Sequence, residues 1–353
     1  MNVATGGAAP PLSLCVATRN RCATLMELLG QILSDPEMPI EVVVVDGAST
    51  DETELHCAAL ARKEPRFRYI REVTNSGLDR AYDTAVLTAR GTYCWLFTDD
   101  DRLEADALPT VLEALKREPA AILVNASIHD ATFSHLLNPS RLRLTADTLY
   151  AATDRDRLFA DTAAYLSYIG AVIVRRDCWL ARERERFIGS LFIHMGVLFQ
   201  DPPLAAVLVL AKPLVRIRYG IGSWTAQTLP IWLERWPALV WSFDGVSATA
   251  KAEVCPRGIT AWAMALLKFR AYGRLSAKDS GLLDRINGRW PFRLVSRLVV
   301  STPAAALNLL LVAAILVLRP RARQGLYDLS ESIHAGTLAR RLARRHLAKA
   351  ASP

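Results

Sequence analysis

Gly91-Thr92-Tyr93-Cys94-Trp95-Leu96-Phe97-Thr98-Asp99-Asp100-Asp101 is an apolar run that ends in three adjacent carboxylates. It reads as a buried strand that carries acids to its own C-terminal end. Aspartate is a poor strand former and adjacent negative charges repel, so the cluster costs stability unless a cation or a set of donors faces it. A divalent metal is one such partner; the other reading is an aspartate-rich turn whose side chains cap the next helix. If strand alternation persists, Asp99 and Asp101 face the ligand side, and Asp100 points away into a partly structural role.

The segments before the run repeat its grammar. Leu12–Ala17 is a strand that ends in Thr18-Arg19-Asn20-Arg21, followed by a helix with Leu25, Leu28, Leu29, Ile32 and Leu33 on one face. Glu41–Asp46 is a continuous apolar strand of the kind covered on both faces, and it breaks at Gly47-Ala48-Ser49-Thr50-Asp51, where Ser49 or Thr50 can cap a helix towards Arg62. A short strand at Phe67–Ile70 leads to the Asn75-Ser76-Gly77 turn and a helix from Leu78 to about Ala89. After the acids come a helix over Glu104–Arg117 and a strand over Ala121–Asn125. This alternation predicts an α/β fold, a mostly parallel sheet with helices on both faces and right-handed crossovers. Three polar clusters, at Thr18, Asp46 and Asp99–Asp101, then converge on the carboxyl edge of the sheet, where such folds bind ligands.

Composition narrows the class. The 353 residues are 51% hydrophobic and carry a net charge of +8, of which six belong to residues 319–353, where eight basic residues meet two acidic ones. The basicity therefore points to an anionic partner for the tail rather than for the whole chain. Cys15, Cys22, Cys57, Cys94, Cys178 and Cys255 form no CxxC pair and no metal-ligand spacing, which reads as isolated thiols in a reducing compartment. Residues 1–11 are rich in Gly, Ala and Pro, without a basic start or an apolar signal core, so the expectation is a flexible, cytoplasmic N-terminus.

Leu12–Arg21, Val44–Thr53, and Asn75-Ser76-Gly77-Leu78-Asp79 through Ala89-Arg90-Gly91 to Asp99-Asp100-Asp101 resemble, in order and spacing, the successive signatures of family 2 glycosyltransferases. The resemblance covers roughly residues 11–125. It implies a GT-A fold, a nucleotide-diphospho-sugar donor and a divalent cation, Mn²⁺ or Mg²⁺. It further implies that Thr18 and Arg19 line the nucleotide pocket, that Asp46 accepts from the base, and that Asp79 helps close the site. Asp83 is a weaker companion to Asp79, or else a solvated helix residue. Asp99 and Asp101 stand as the outer members of a DxD motif and as the metal ligands, with Asp99 and Asp100 on the substrate. The usual Asp-Asp-Gly-Ser is here Asp46-Gly47-Ala48-Ser49, which leaves the choice of nucleotide open.

The second half is read as shaping an acceptor site. Leu137–Leu158 reads as a polar loop and Gly170–Arg176 as a strand. Phe187–Gly196 sits where many members of the family carry a Glu-Asp pair. An inverting transfer needs a base to take the acceptor's proton. In place of that pair stands His194, a competent base near neutral pH or a metal ligand, or else a core imidazole. Glu185 is the second candidate for the base and Asp201 the third. Pro213–Trp224 looks like a segment of the subgroup resembling abequosyltransferases of O-antigen assembly. Arg216 and Arg218 alternate with apolar residues and can meet a diphosphate from one strand face, or be surface arginines. Trp224 can stack on a sugar ring, whereas Trp232, Trp236 and Trp241 recur near helical spacing and read as core or interfacial anchors.

Pro303–Leu318 is almost unbroken Ala, Leu, Val and Ile, short of the ~20 apolar residues of a spanning helix. Flanked by Arg293, Arg297, Arg319, Arg321 and Arg323, it reads as a span or as an interfacial helix against anionic lipid. Leu338–Leu347 follows as a basic amphipathic helix. Nucleic acid is the rival partner for the tail, but it requires no apolar segment. The expected organisation is a catalytic domain over 12–225, divided near 125, a helical extension over 226–298, and a membrane-associating region over 299–353. The expected protein transfers a sugar to a lipid-linked glycan at the inner face of a bacterial plasma membrane. The rivals are a sugar nucleotidyltransferase, which wants a glycine-rich basic loop after the first strand, and a nucleotide-sugar-binding protein without turnover.

Overall fold

Seven consecutive buried residues, Leu12–Thr18, form β1, and seven more, Ile40–Asp46, form β2. Both are rich in β-branched or aliphatic side chains with no polar alternation, because helices cover both faces of the sheet at this point. The computed structural model describes residues 9–221 and 227–349, so Trp224 lies outside the described residues. α1 (Cys22–Ile32) buries Leu25, Leu28, Leu29 and Ile32, the stripe the spacing predicts. α2 (Thr53–Ala61), β3 (Phe67–Arg71), α3 (Leu78–Thr88), β4 (Tyr93–Phe97), β5 (Arg102–Leu103), α4 (Ala107–Leu115) and β6 (Ala121–His129) follow. The chain continues through β7 (Leu136–Asn138), β8 (Thr148–Ala151), α5 (Arg155–Thr162), β9 (Val172–Arg175), α6 (Arg176–Leu180), α7 (Ile193–Phe199) and β10 (Ala206–Arg218).

The sheet runs β3-β2-β1-β4-β9-β6-β10-β5. β1, β2, β3 and β4 are parallel, as their α-helical crossovers require. Beyond β4 the pairing turns antiparallel, first with β9 and then from β9 to β6. The reason lies in the path of the chain: Tyr168, four residues before β9, hydrogen-bonds Asp101 just past the end of β4. β9 thus starts where β4 ends and must run the other way. The segment read as a polar loop, Leu137–Leu158, instead contains β8 and the start of α5, because Tyr150 is buried and donates to Asp161 at 2.7 Å.

At the edge of the sheet where β1, β2 and β4 begin, Glu41 is buried and accepts from Ser13 Oγ at 2.6 Å and from the Arg90 backbone N–H at 2.7 Å. Gly91 donates to the same Ser13 hydroxyl at 2.9 Å, and a Cβ on Gly91 would lie 2.5 Å from it, so β4 can approach β1 only with glycine there.

The described residues of Met1–Ala126, Ser140–Ile217 and Phe243–Ser247 form one compact unit, and those of Ser127–Pro139, Arg218–Ser242 and Ala248–Pro353 form a second. The second unit thus gathers the hairpin at 127–139 with the C-terminal helices. Those helices are α8 (Thr228–Pro230), α9 (Trp236–Trp241), α10 (Ala248–Val254), α11 (Ile259–Ala271), α12 (Ser280–Ile286), α13 (Trp290–Ser301), α14 (Ala304–Leu318), α15 (Arg323–Ser330) and α16 (Thr337–Lys349). Its core includes Leu229, Leu233, Trp262, Leu266, Leu275, Leu283 and Val299. Among the described residues no single helix is long and apolar enough to cross a membrane, while α13 and α14 would pass together but are bent by 92° at Thr302-Pro303. α14 is pinned to its own unit by Asn308, whose buried amide donates to the carbonyls of Ala271 and Leu329 at 3.0 Å each.

Candidate active site

Register brings the first two polar clusters together. Thr18 is paired with Asp46 across β1 and β2, and Val16 with Phe97 across β1 and β4, so the acids after Phe97 emerge beside Thr18. Thr18 Oγ1 donates to Asp99 at 2.7 Å. Asn20, at φ 53°, then turns the chain so that Arg21 faces the acids, and its guanidinium contacts Asp99 at 3.4 Å and pairs with Asp100. Asparagine tolerates that left-handed conformation better than most side chains. Arg19 is exposed. The basic residue that meets the carboxylates is therefore Arg21, two positions beyond the arginine that the resemblance nominates.

The acid cluster departs from strand alternation. β4 ends at Phe97, and the backbone bends through Asp99 and Asp100. Asp99 and Asp100 consequently share Arg21, whereas Asp101 is buried and accepts from Thr98 Oγ1 and, at 2.6 Å, from the Tyr168 hydroxyl. Asp100, expected to point away, stands with Asp99 on one cation. Burial, reinforced by the charge of Asp100, pushes the Asp99 carboxyl up to about 6, against the pull of Arg21 and Thr18.

Asp46 is fully buried, and its carboxylate is already engaged: Oδ1 accepts from the Ser49 N–H at 2.9 Å and its hydroxyl at 2.5 Å, and Oδ2 from the Tyr69 hydroxyl at 2.6 Å. Both oxygens are thus engaged inside the protein, and the Tyr69 phenol is held protonated by burial and by Asp46. Asp79 is buried too and accepts from the N–H groups of Leu191 at 2.7 Å and Ile193 at 3.1 Å. It is thus a brace that ties the start of α3 to the turn before α7. Asp83 is buried rather than solvated, with Trp179 Nε1 at 2.9 Å and Arg184 Nε at 2.8 Å on one oxygen.

The structure corrects the candidate base. His194 is 1% exposed on α7, its Nε2–H donates to the Leu166 carbonyl at 2.6 Å, and its Nδ1 finds no partner among the described residues. Burial pulls its pKa down to about 4, so it is neutral at physiological pH and shut away from any acceptor. An unfolded chain takes up a proton on this imidazole below about 6.5, and the folded chain only near 4. Stability contributed by the neutral ring is therefore full above pH 6.5 and falls as pH drops through that window, by about 3 kcal/mol in all. His194→Gln is expected to flatten this limb of a urea-unfolding series between pH 7 and pH 4; an unchanged slope refutes the assignment.

Glu185 is exposed and held bidentately by Arg80, at 2.6 and 2.8 Å, which keeps its carboxyl below the usual range. Asp201 is exposed and paired with Arg155 at 2.5 Å. Arg216 is gripped by Glu104 through two bonds of 2.8 and 2.9 Å, so its fork is committed to a protein carboxylate rather than to a diphosphate. In the second unit, the Arg218 guanidinium stacks 4.5 Å from the Phe133 ring centroid. Sequence reasoning missed Arg21, Tyr69, Arg80 and Tyr168. Arg21 was legible as the second arginine of the Thr18–Arg21 cluster. Tyr168 carried no local signal, since it lies 67 positions from Asp101.

Residues 13–175 match the sequence profile of the family described as "Glycosyl transferase family 2". The abequosyltransferase RfbV of Salmonella typhimurium is 30% identical over 221 residues, which cover 59% of this chain and 66% of that protein. The succinoglycan biosynthesis protein ExoO of Rhizobium meliloti is 27% identical over 188 residues, 52% of this chain and 53% of that one. The chain thus spans about half to two thirds of these relatives. In fold it is similar to residues 1–349 of TarS from S. aureus, with a TM-score of 0.55 at 16% identity, over 91% of this chain and 90% of that one. The profile match and the identity to RfbV together place residues 13–175 of this chain in glycosyl transferase family 2.

Proposed function

We propose that this chain transfers a sugar from a nucleotide-diphosphate donor to a lipid-linked or saccharide acceptor in the assembly of a bacterial surface polysaccharide, with inversion. The observation that carries the reading is the meeting of Thr18, Arg21, Asp46 and Asp99–Asp101 at the carboxyl edge of the parallel strands. Asp46, buried and held by Ser49 and Tyr69, shapes the floor on which the base rests. Thr18 and Arg21 fix the direction of Asp99 and Asp100, and Tyr168 fixes that of Asp101.

Among the described residues no group of three His, Cys, Asp or Glu side chains is placed to hold a metal ion. Asp99 and Asp101 nevertheless present hard carboxylate oxygens within one turn, which suits a Mg²⁺ or Mn²⁺ held by one or two carboxylates plus substrate phosphates. Such an ion, when bound, neutralises charge on the departing diphosphate. Glu185 replaces His194 as the base in this reading, because it is a solvent-facing carboxylate whose direction Arg80 fixes. It takes the proton of the acceptor hydroxyl, whose oxygen attacks the anomeric carbon as the bond to the nucleotide diphosphate breaks on the opposite face. The basic, apolar C-terminal segments support action at the inner membrane surface, where a lipid-linked acceptor is presented.

The test is release of nucleotide diphosphate by the purified chain from a panel of nucleotide sugars, with and without Mn²⁺ and with acceptor extracts. Transfer from at least one donor is expected. Donor binding without release would leave a nucleotide-sugar-binding protein, and pyrophosphate exchange a nucleotidyltransferase. Glu185→Gln is expected to lower turnover about a hundredfold or more while sparing donor affinity. Unaltered turnover in that variant removes the base assignment.

A further inference from the structure

α13 carries two exposed stripes side by side. Trp290, Leu294 and Leu298, four residues apart, are 77%, 45% and 60% exposed. Arg289, at the N-cap of α13, and Arg293 and Arg297 on it repeat at the same interval one position earlier; all three are exposed, and Arg293 also pairs with Asp284 at 3.3 Å. At 100° per residue the arginine row lies immediately beside the apolar row. The opposite side of the helix is committed to the core of its unit: Val299 is buried there with Phe292 and Val295 packed around it, and Ser296 accepts from Trp262 Nε1 at 3.1 Å. A helix that buries one face in protein has no internal use for a second apolar face.

We propose that this face of α13 docks in the plane of an anionic bilayer, with Trp290, Leu294 and Leu298 in the interfacial layer and Arg289, Arg293 and Arg297 on lipid headgroups. The inference deepens the membrane part of the function proposed above and moves it to a new element: the contact is made by α13 lying flat, and not by α14 crossing. The charge pattern selects the occupant. A second protein surface asks for shape complementarity and spares the interface core from charge, whereas adjacent rows of tryptophan or leucine and arginine are what the boundary between acyl chains and anionic headgroups accepts. The 92° bend agrees with this, because it and the Asn308 hydrogen bonds keep α14 folded against α11 and α15.

Vesicle flotation of the full chain tests the proposal, with phosphatidylcholine alone and with phosphatidylcholine containing phosphatidylglycerol. The wild type is expected to float with the anionic vesicles and to stay behind with the neutral ones. Arg289→Gln with Arg297→Gln is expected to weaken binding by about thirtyfold, roughly fivefold for each basic residue lost near an anionic surface. Trp290→Ser with Leu298→Ser is expected to abolish flotation at unchanged melting temperature, and Trp290→Phe to remove the quenching of tryptophan emission by brominated lipid. Three results overturn the inference: no flotation of the wild type, equal flotation with both vesicles, or flotation of the Trp290→Ser, Leu298→Ser variant as strong as wild type, which would hand the contact to the α16 tail. Because binding is read without nucleotide, failure here leaves the sugar-transfer reading standing, and failure of transfer leaves this one standing.

Discussion

Asp101→Asn is expected to lower sugar transfer by about a thousandfold, the scale on which a positioned charge contributes to a developing leaving group. Asparagine keeps an oxygen for the Tyr168 hydroxyl and for Thr98, so the turn after β4 is retained and the variant separates charge from structure. Asp101→Ala adds a second effect. It takes from the half-buried Tyr168 hydroxyl its carboxylate acceptor, at a cost of about 1–3 kcal/mol. The two variants should therefore share the loss of activity and differ in melting temperature. Binding of Mn²⁺ in the presence of nucleoside diphosphate, read by electron paramagnetic resonance, should weaken in both. An Asp101→Asn protein that transfers sugar at the wild-type rate would remove this carboxylate from the site.

The largest effect on stability is expected at Asp83, away from the acids. Its buried carboxylate holds both the Trp179 indole and the Arg184 guanidinium, joining α3 to α6 and to the segment that leads to Glu185. Asp83→Ala leaves the buried Trp179 N–H without its acceptor and takes the carboxylate from Arg184, which keeps the carbonyls of Trp179, Leu180 and Arg182, at about 3 kcal/mol in all. For a unit of this size that corresponds to a fall in melting temperature on the order of 10 °C. Asp83→Asn, which keeps an acceptor for the indole, should lose less. A melting curve for Asp83→Ala within 2 °C of wild type, a margin of roughly half a kcal/mol, would show that the pair contributes nothing net.

The two variants also show how differently parts of the chain could be read. The four consecutive valines of β2, the Leu25/Leu28/Leu29/Ile32 stripe of α1 and the apolar run of β4 have periodicities that only a buried strand or a helix on a sheet satisfies, and they fold accordingly. Because the parallel strands end in Thr18, Asp46 and the acid triplet, their convergence on one edge was legible as well. The antiparallel half was not: β9 reads as a strand from its composition, but its direction depends on Tyr168 reaching Asp101 across 67 residues. No local pattern encodes such a contact.

Roles within the site divide along the same line. Local sequence identified which carboxylates are present, since charge next to an apolar strand is visible in any reading. Which of them are free to act is a matter of partners, and partners are set by tertiary packing. Asp46 is occupied by Ser49 and Tyr69, Asp79 by two backbone amides before α7, and Arg216 by Glu104. His194 has the spacing of a base and the environment of a core residue, because α7 turns it towards the Leu166 carbonyl and away from water. The amino-acid sequence by itself thus determined the β1–β4 half of the sheet, the edge at which its polar residues gather and the acids that stand there. Only the tertiary structure decided that Arg21 is the counter-ion of Asp99 and Asp100, that Tyr168 orients Asp101 and that His194 is closed off. Desolvation and hydrogen-bond pairing, which settle the state of a titratable group, depend on every segment that packs against it and not on its neighbours in the chain.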